Sequence, residues 1–484
     1  MYFKLKSNVM FRNYDSFGYI TDNRNFAYKR LTNDEHSIGD KIVSESGAVF
    51  LSVLSKKPQA FSHLVDNIQK HFMDTDIKSI NDDARDFYRM LEKEGFIISG
   101  ESMLECYEKD SVFSYNTSIP KSTNIVSSQS DIQCGKSTQE FFEVHFKGKP
   151  RLTDLHIEIT SKCNERCVHC YIPHENKTND LEPDLFYDIL MQCREMNVLH
   201  LTLSGGEPLL HKNICDFLEK CNEYGFSVNV LSNLTLLNDK MVSEMKRNRL
   251  LGVQVSLYSM DSNIHDEITQ MKGSFEKTTR SIMKLVENDI PLQISCPILK
   301  QNRRTYREVI DWAAKYDISV GDDYAIIAKY NHSIQNLNSR LSIDEVNEII
   351  HDKIINDRQY LVQIEDEADK KKNSTPDDFV CSVCNSSICI ADNGNVYPCA
   401  GWQDYVVGNI QEESLKEIWE KSEKIEYLRK LKKRDFSECV QCLDKNYCTM
   451  CMVRNANEDP LGNPLVVSSY FCSVVKCIAS AVHG

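Results

Sequence analysis

Apolar positions change their spacing along the chain, and the changes divide it into modules. Residues 1 to about 105 begin with short alternating runs, Val9-Met10-Phe11-Arg12 and Phe17-Gly18-Tyr19-Ile20-Thr21, with Asp40-Lys41-Ile42-Val43 as a third. Such runs predict strands. From Ser44 the spacing turns helical. Ala48, Leu51, Val53 and Leu54 mark one helix with Ser44 or Ser46 as its cap, Phe61, Leu64, Val65 and Ile68 a second, and Phe87, Met90 and Leu91 a third that stops at Gly95. Three strands followed by three helices make a small winged-helix pattern. From Tyr107 to about Lys149 periodicity is lost in Ser-, Thr-, Asn- and Gln-rich sequence, which reads as a linker.

Residues 151 to about 330 alternate strand and helix. Strands are predicted at 156–160, 200–204, 227–231, 252–257, 292–297 and 319–325. The helices between them fall near 181–197, 212–224, 236–247, 274–288 and 303–316. Repeated strand–helix units predict a parallel sheet with right-handed crossovers, and α/β barrels carry their chemistry at the C-terminal ends of the strands. A charged stretch from Glu365 to Asp378 then reads as a solvated linker.

Length and composition narrow the function. The 484 residues suggest about three domains. A net charge of −14 argues against broad nucleic-acid or anionic-membrane binding. No run approaches the eighteen or so apolar residues of a membrane span, and the first residues lack a signal-peptide core, so a cytoplasmic protein is expected. Nineteen cysteines in a reducing compartment point to metal or catalysis rather than to disulfides.

The cysteines fall in two dense sets. Cys163, Cys167 and Cys170 follow the first strand of the alternating region. Three thiolates on one loop can hold three irons of a 4Fe–4S cluster and leave the fourth iron open to a small molecule. A zinc site borrowing one further ligand is the alternative. The second strand ends in Ser204-Gly205-Gly206-Glu207-Pro208, where two glycines let a ligand approach the backbone and Glu207 offers an acceptor.

CxxxCxxC after one strand and GGEP after the next resemble the radical SAM superfamily, over about residues 152–330. The resemblance implies a partial (β/α)6 TIM-like barrel of the α/β class. It implies that Cys163, Cys167 and Cys170 bind a 4Fe–4S cluster whose open iron is chelated by S-adenosylmethionine. It also implies cofactor contacts from Tyr171, Gly205, Gly206, Glu207, Ser232, Asn233 and Ser256. Thr269 stands where the family often has Arg, which leaves the carboxylate partner open. His265 reads as structural. Cys193, Cys215 and Cys221 read as core thiols, and Asp322, Asp323 and Tyr324 as either a source of a base or solvated loop.

The second set is Cys381, Cys384, Cys389 and Cys399, then Cys439-x2-Cys442-x5-Cys448-x2-Cys451 and Cys472. With nine residues between Cys384 and Gly394 and four between Gly394 and Cys399, it resembles the SPASM domain, one residue short before Cys451. That resemblance implies two auxiliary clusters, making three 4Fe–4S clusters in all. Cys439, Cys442, Cys448 and Cys472 would hold the distal one. Cys399 and Cys451 with two of Cys381, Cys384 and Cys389 would hold the proximal one, Cys381 and Cys384 being preferred because Cys389 lies in an apolar strand. Cys477 is spare, and paired structural zinc sites are the alternative.

The N-terminal pattern resembles the PqqD-like leader-peptide recognition domain. The expected boundaries are that domain at 1–105, a linker at 106–150 (with Cys134 incidental), the radical SAM core at 151–335, a bridging helical or linker segment at 336–380 and the SPASM domain at 381–484. The combination resembles maturases of ribosomally made peptides. It implies a Cys-containing precursor peptide as partner, a flavodoxin or ferredoxin as electron donor, and formation of a thioether crosslink. Carbon–carbon crosslinking, formylglycine formation by an anaerobic sulfatase maturase, crosslinking of a larger protein subunit by a quinohemoprotein-type maturase, and a non-catalytic Fe–S or zinc scaffold are the alternatives.

Overall fold

A computed structural model describes residues 1–14, 16–23, 39–110, 146 and 149–483. Most of the expected linker, with Cys134, lies outside them.

The N-terminal module contains β1 (Tyr2–Leu5), β2 (Met10–Tyr14), β3 (Phe17–Thr21), β4 (Asp40–Val43), α1 (Glu45–Ser52), β5 (Gln59–Ala60), α2 (Phe61–Gln69), α3 (Ile77–Lys93), β6 (Ile97–Gly100) and α4 (Met103–Lys109). The three strands and three helices expected from the pattern are present, and Ser44 caps α1 by accepting from the Gly47 amide. A second antiparallel sheet, β5-β1-β6, was not foreseen. Its strands are two to four residues long, too short to display an alternation. α4 runs past the expected boundary at 105. Phe3, Ile20, Leu51, Leu64, Ile80, Tyr88 and Phe96 close this module's own core.

The alternating region folds as β7 (Asp154–Thr160), α5 (Pro183–Glu195), β8 (His200–Gly205), α6 (Ile214–Glu223), β9 (Ser227–Ser232), α7 (Asp239–Arg247), β10 (Gly252–Ser256), α8 (Ser262–Thr269), α9 (Ser274–Glu287), β11 (Leu292–Ser295), α10 (Tyr306–Ala314) and β12 (Ser319–Gly321). Six parallel strands run in the order 12-11-10-9-8-7, the partial (β/α)6 barrel expected. The bridging segment holds α11 (Ile343–Asn356), opened by a Ser342–Glu345 capping box, and α12 (Arg358–Lys372). The charged stretch read as linker is therefore helical as far as Lys372.

The C-terminal module contributes β13 (Ser387–Ile390), β14 (Asn395–Tyr397), β15 (Gly408–Asn409), α13 (Leu415–Lys421), α14 (Glu423–Lys430), α15 (Ser437–Val440), α16 (Met452–Glu458) and α17 (Ser469–His483). It is not a separate body. β13 pairs in parallel with β7, so the sheet continues through β14 and β15 to nine strands. Ile388, Ile390, Trp402, Ile418 and Leu428 share one apolar core with Leu155, Ile157, Leu201 and Val253. Among the described residues, no helix is long and apolar enough to cross a membrane.

The N-terminal module docks on the N-terminal ends of the barrel strands. Fully buried Arg12 donates to the carbonyls of Val198 and Gly225, each at 2.8 Å. Tyr14 reaches Asn197 O, and Ser227 donates to Asn23. Met10, Tyr14 and Tyr19 pack with Leu199. The end of the barrel beyond Thr160, Gly205 and Ser232 stays clear of these contacts.

Candidate active site at the C-terminal ends of the barrel strands

The loop after β7 carries Cys163, Cys167 and Cys170 and is pinned from several sides. Arg166 N donates to Thr269 O (3.0 Å) and Val168 N to Ile268 O (2.9 Å) at the end of α8. Asn164 donates to Thr235 and accepts from Asn233, in the loop after β9. The three thiols therefore stand at the C-terminal ends of the strands, as the spacing predicted.

The electrostatics of the loop are those of an enclosed pocket. Burial pushes the Cys163 thiol up to about 11 and raises Cys167 well above its ordinary range, with Glu165 and the other two thiols adding to the latter. Lys177 sits 3.5 Å from Cys170 and is buried. Glu165, between the first two cysteines, is pushed up to about 7 by burial; its Oε2 accepts from Cys167, while Oε1 is buried without a partner. Three thiols on one pinned loop, a buried ammonium and an orphaned carboxylate oxygen fit an iron–sulfur cluster with a polar ligand beside it. Glu165 and Lys177 escaped the sequence reading. Their only signal is position, one between the cysteines and one seven residues beyond.

The GGEP segment is built against this loop. A Cβ on Gly205, at φ +136°, would fall on the Thr160 carbonyl oxygen, and one on Gly206 on the Ser161 and Lys162 oxygens. Glycine is therefore needed for backbone-on-backbone packing, before any ligand is considered. Gly206 N donates to Thr160 O and Glu207 N to Lys162 O, both at 2.8 Å. The Glu207 carboxylate is completely buried and accepts from Ser232 Oγ (2.7 Å), Asn233 N (2.7 Å) and Leu209 N (3.0 Å), so it ties β8 to β9.

Gly205, Gly206, Glu207, Ser232 and Asn233 thus form one connected unit. Ser256 ends β10 at the same level, hydrogen-bonded to Tyr258. Burial raises the Tyr171 hydroxyl, and Glu158, Cys170, Cys389 and Cys399 add to the rise. Thr269 is turned away: its buried hydroxyl is shared with Ser274 at 2.7 Å, and it meets the cluster loop through its carbonyl. His265 is buried against Tyr258. Asp322 pairs with Lys353 and Tyr324 reaches Tyr360, which gives both a packing role. Cys193 and Cys221 are core thiols and Cys215 is half-buried beside them.

The C-terminal cysteines gather in two groups. Burial pushes Cys381 up to about 11 and Cys384 to about 12; Cys451 and Cys399 add to the first, Cys381 and Cys399 to the second. Cys439, pushed up to about 11 by burial, feels Cys448, Cys472 and Cys442. Four thiols stand near one another in each, the sets that the SPASM resemblance implied. Cys389 stands apart from Cys381 and Cys384, on β13, where its charged neighbours are Glu158 and Cys399.

Residues 157–313 match the model of the Radical SAM superfamily, and residues 381–443 that of SPASM, an iron–sulfur cluster-binding domain. A tungsten-containing aldehyde ferredoxin oxidoreductase cofactor-modifying protein of Pyrococcus furiosus is 26% identical over 348 residues, 64% of this chain and 92% of that protein. The antilisterial bacteriocin subtilosin biosynthesis protein AlbA of Bacillus subtilis is 25% identical over 315 residues, 62% of this chain and 67% of AlbA. Among solved structures, Streptococcus suis SuiB bound to precursor peptide SuiA has the same fold, with a TM-score of 0.59 at 16% identity, over 97% of this chain and 100% of that one.

Proposed function

From a chain that carries a radical SAM core joined to an SPASM iron–sulfur domain, we propose a maturase that forms a thioether between a Cys sulfur and a carbon of another residue in a ribosomally made peptide. The observation that carries this reading is the extent of the likeness to peptide-bound SuiB, which includes the N-terminal module as well as the barrel and SPASM region. The likeness to AlbA supports a peptide substrate. In this reading the N-terminal module holds the leader, and a flavodoxin or ferredoxin brings electrons.

Cys163, Cys167 and Cys170 would hold the cluster that binds S-adenosylmethionine, and the two C-terminal groups would hold two auxiliary 4Fe–4S clusters. When bound, the first cluster and S-adenosylmethionine supply a 5′-deoxyadenosyl radical able to take a hydrogen atom from an unactivated carbon. The chain's own residues do the rest. Asn164, Arg166 and Val168 fix the loop. Glu207 locks the ends of β8 and β9 together, so that the floor under the cofactor does not reorganise.

Intact mass of a Cys-containing precursor, encoded beside this chain and co-expressed with it without oxygen, tests the reading. The expected result is loss of two hydrogens per link, with Cys no longer alkylatable after reduction. The same loss with every Cys still alkylatable would replace the thioether by a carbon–carbon bond. An unchanged mass from iron-loaded enzyme would overturn the peptide reading. The Cys163→Ala/Cys167→Ala/Cys170→Ala variant should form no 5′-deoxyadenosine.

A further inference from the structure

The barrel wall holds a polar group that lies outside the thiol loop after β7 and outside the two C-terminal groups of four thiols. Along β7, Leu155, Ile157 and Ile159 enter the shared core, so His156 and Glu158 belong to the opposite face. On β13, Ile388 and Ile390 enter that core, and Cys389 lies directly opposite His156 in the parallel pairing. One ligand atom from each of His156, Glu158 and Cys389 lies within 4.8 Å of the other two. Among the described residues, this is the one group of three His, Cys, Asp or Glu side chains to meet that spacing.

Each member is oriented, with an atom left over. His156 Nε2 is bonded to Ser204 Oγ, which leaves Nδ1. Gln403 donates to Glu158 Oε2 at 2.6 Å, while Oε1 is buried without a partner. Glu158 is 3% exposed and Cys389 0%. The charged group felt by Glu158 is a second acid, Asp392. With no cation beside them among the described residues, burial keeps both groups protonated, pushing Glu158 up to about 8 and Cys389 well above its ordinary range, and a bound cation would take the place of those protons.

We propose that His156, Glu158 and Cys389 bind one divalent cation of the zinc class, with a fourth position open to the barrel lumen. Imidazole, carboxylate and thiolate are a zinc donor set, and three protein ligands with an open position is the arrangement of a reactive rather than a structural zinc. Ser204 and Gln403 are the outer partners that such ligands use to fix their orientation. Tetrahedral zinc brings its ligand atoms to about 3.3–3.8 Å from one another, so the side chains close by roughly 1 Å on binding. The Glu158 and Cys389 protons leave to solvent as the cation enters. Cys389 is then free of iron: Cys381, Cys384, Cys399 and Cys451 supply four thiols to the proximal group without it. The open position takes water or a soft donor, such as a thiolate, brought by a substrate. The cation site itself does not rest on the identity of the peptide.

Metal content of the cluster-reconstituted, chelator-washed full-length enzyme tests the site. The expected result is close to one zinc per chain, with X-ray absorption reporting one sulfur among nitrogen and oxygen neighbours. His156→Ala and Glu158→Gln should lower zinc occupancy roughly tenfold at limiting zinc while iron and sulfide stay unchanged. Absence of zinc overturns the proposal, as does zinc with four sulfur neighbours, which would place it in the cysteine groups. Loss of iron in Cys389→Ala would return Cys389 to a cluster. The absorption measurement on the unaltered enzyme stands even if a variant fails to fold, and none of these readouts depends on crosslinking.

Discussion

Cys384 has φ +58°, a left-handed conformation that costs a non-glycine residue about 1 kcal/mol. Glycine would sit there without strain, so a cysteine there suggests that its thiol is needed. The apolar strand around Cys389 had already favoured Cys384 over it, and the backbone supplies an independent reason. Cys384→Gly is expected to leave the apo chain as stable as before or slightly more so, and to remove one cluster's worth of iron and sulfide. Cys389→Ala should leave iron unchanged. Iron and sulfide assays with a thermal melt read both. Glu207 shows where residue-level reading stops. Its type and place were legible as an acceptor, but its three donors come from its own turn, from Ser232 at the end of β9 and from Asn233 just beyond it.

Among elements, the joints matter more than the pieces. The six barrel strands were found to within a few residues because five of them carry buried apolar residues ahead of a helix and the sixth, β12, follows the strong helical pattern of α10. β13 was not assigned to the same sheet, because nothing local says that Ser387–Ile390 will lie against Asp154–Ile157. A chain ending at Lys372 would expose β7 as an unpaired apolar edge and should be recovered as aggregate rather than as a soluble barrel, by light scattering. The joint at the other end is polar. Lys56, after α1, donates to Asn222 on α6. Its ammonium is pushed down to about 7 by burial and then by Arg12 and Lys4. A lysine whose folded pKa is depressed binds fewer protons folded than unfolded, so stability rises as pH climbs from about 7 towards 10.5. Between pH 6.5 and 9.5 the protein should gain about 3 kcal/mol relative to Lys56→Met, read as the difference between their unfolding curves.

For the whole molecule, the two ends of the barrel have different work. The N-terminal module docks on Asn197, Val198, Gly225 and Ser227, whereas the thiol loop follows Thr160 at the far end of the sheet. The six residues of β8 span about 20 Å between these levels. A peptide held by the N-terminal module must therefore cover at least that distance to reach the thiol loop. Shortening the stretch between leader and modified residues below about six residues should stop crosslinking while leaving leader affinity unchanged, by mass spectrometry beside a binding titration.

By itself the sequence determined whatever depends on spacing within about twenty residues. That includes the strand–helix alternation, the caps, the thiol loop and the GGEP turn, because period, cap chemistry and ligand spacing are local properties of a chain. Only the tertiary structure decided what depends on register between distant segments. Gln403 meets Glu158 across 245 residues, Cys389 faces His156 through the pairing of two modules, and Arg12 reaches the carbonyl of Gly225. Such neighbours are chosen by which edges pair and which apolar faces close on one another, and that choice is made by the whole core at once.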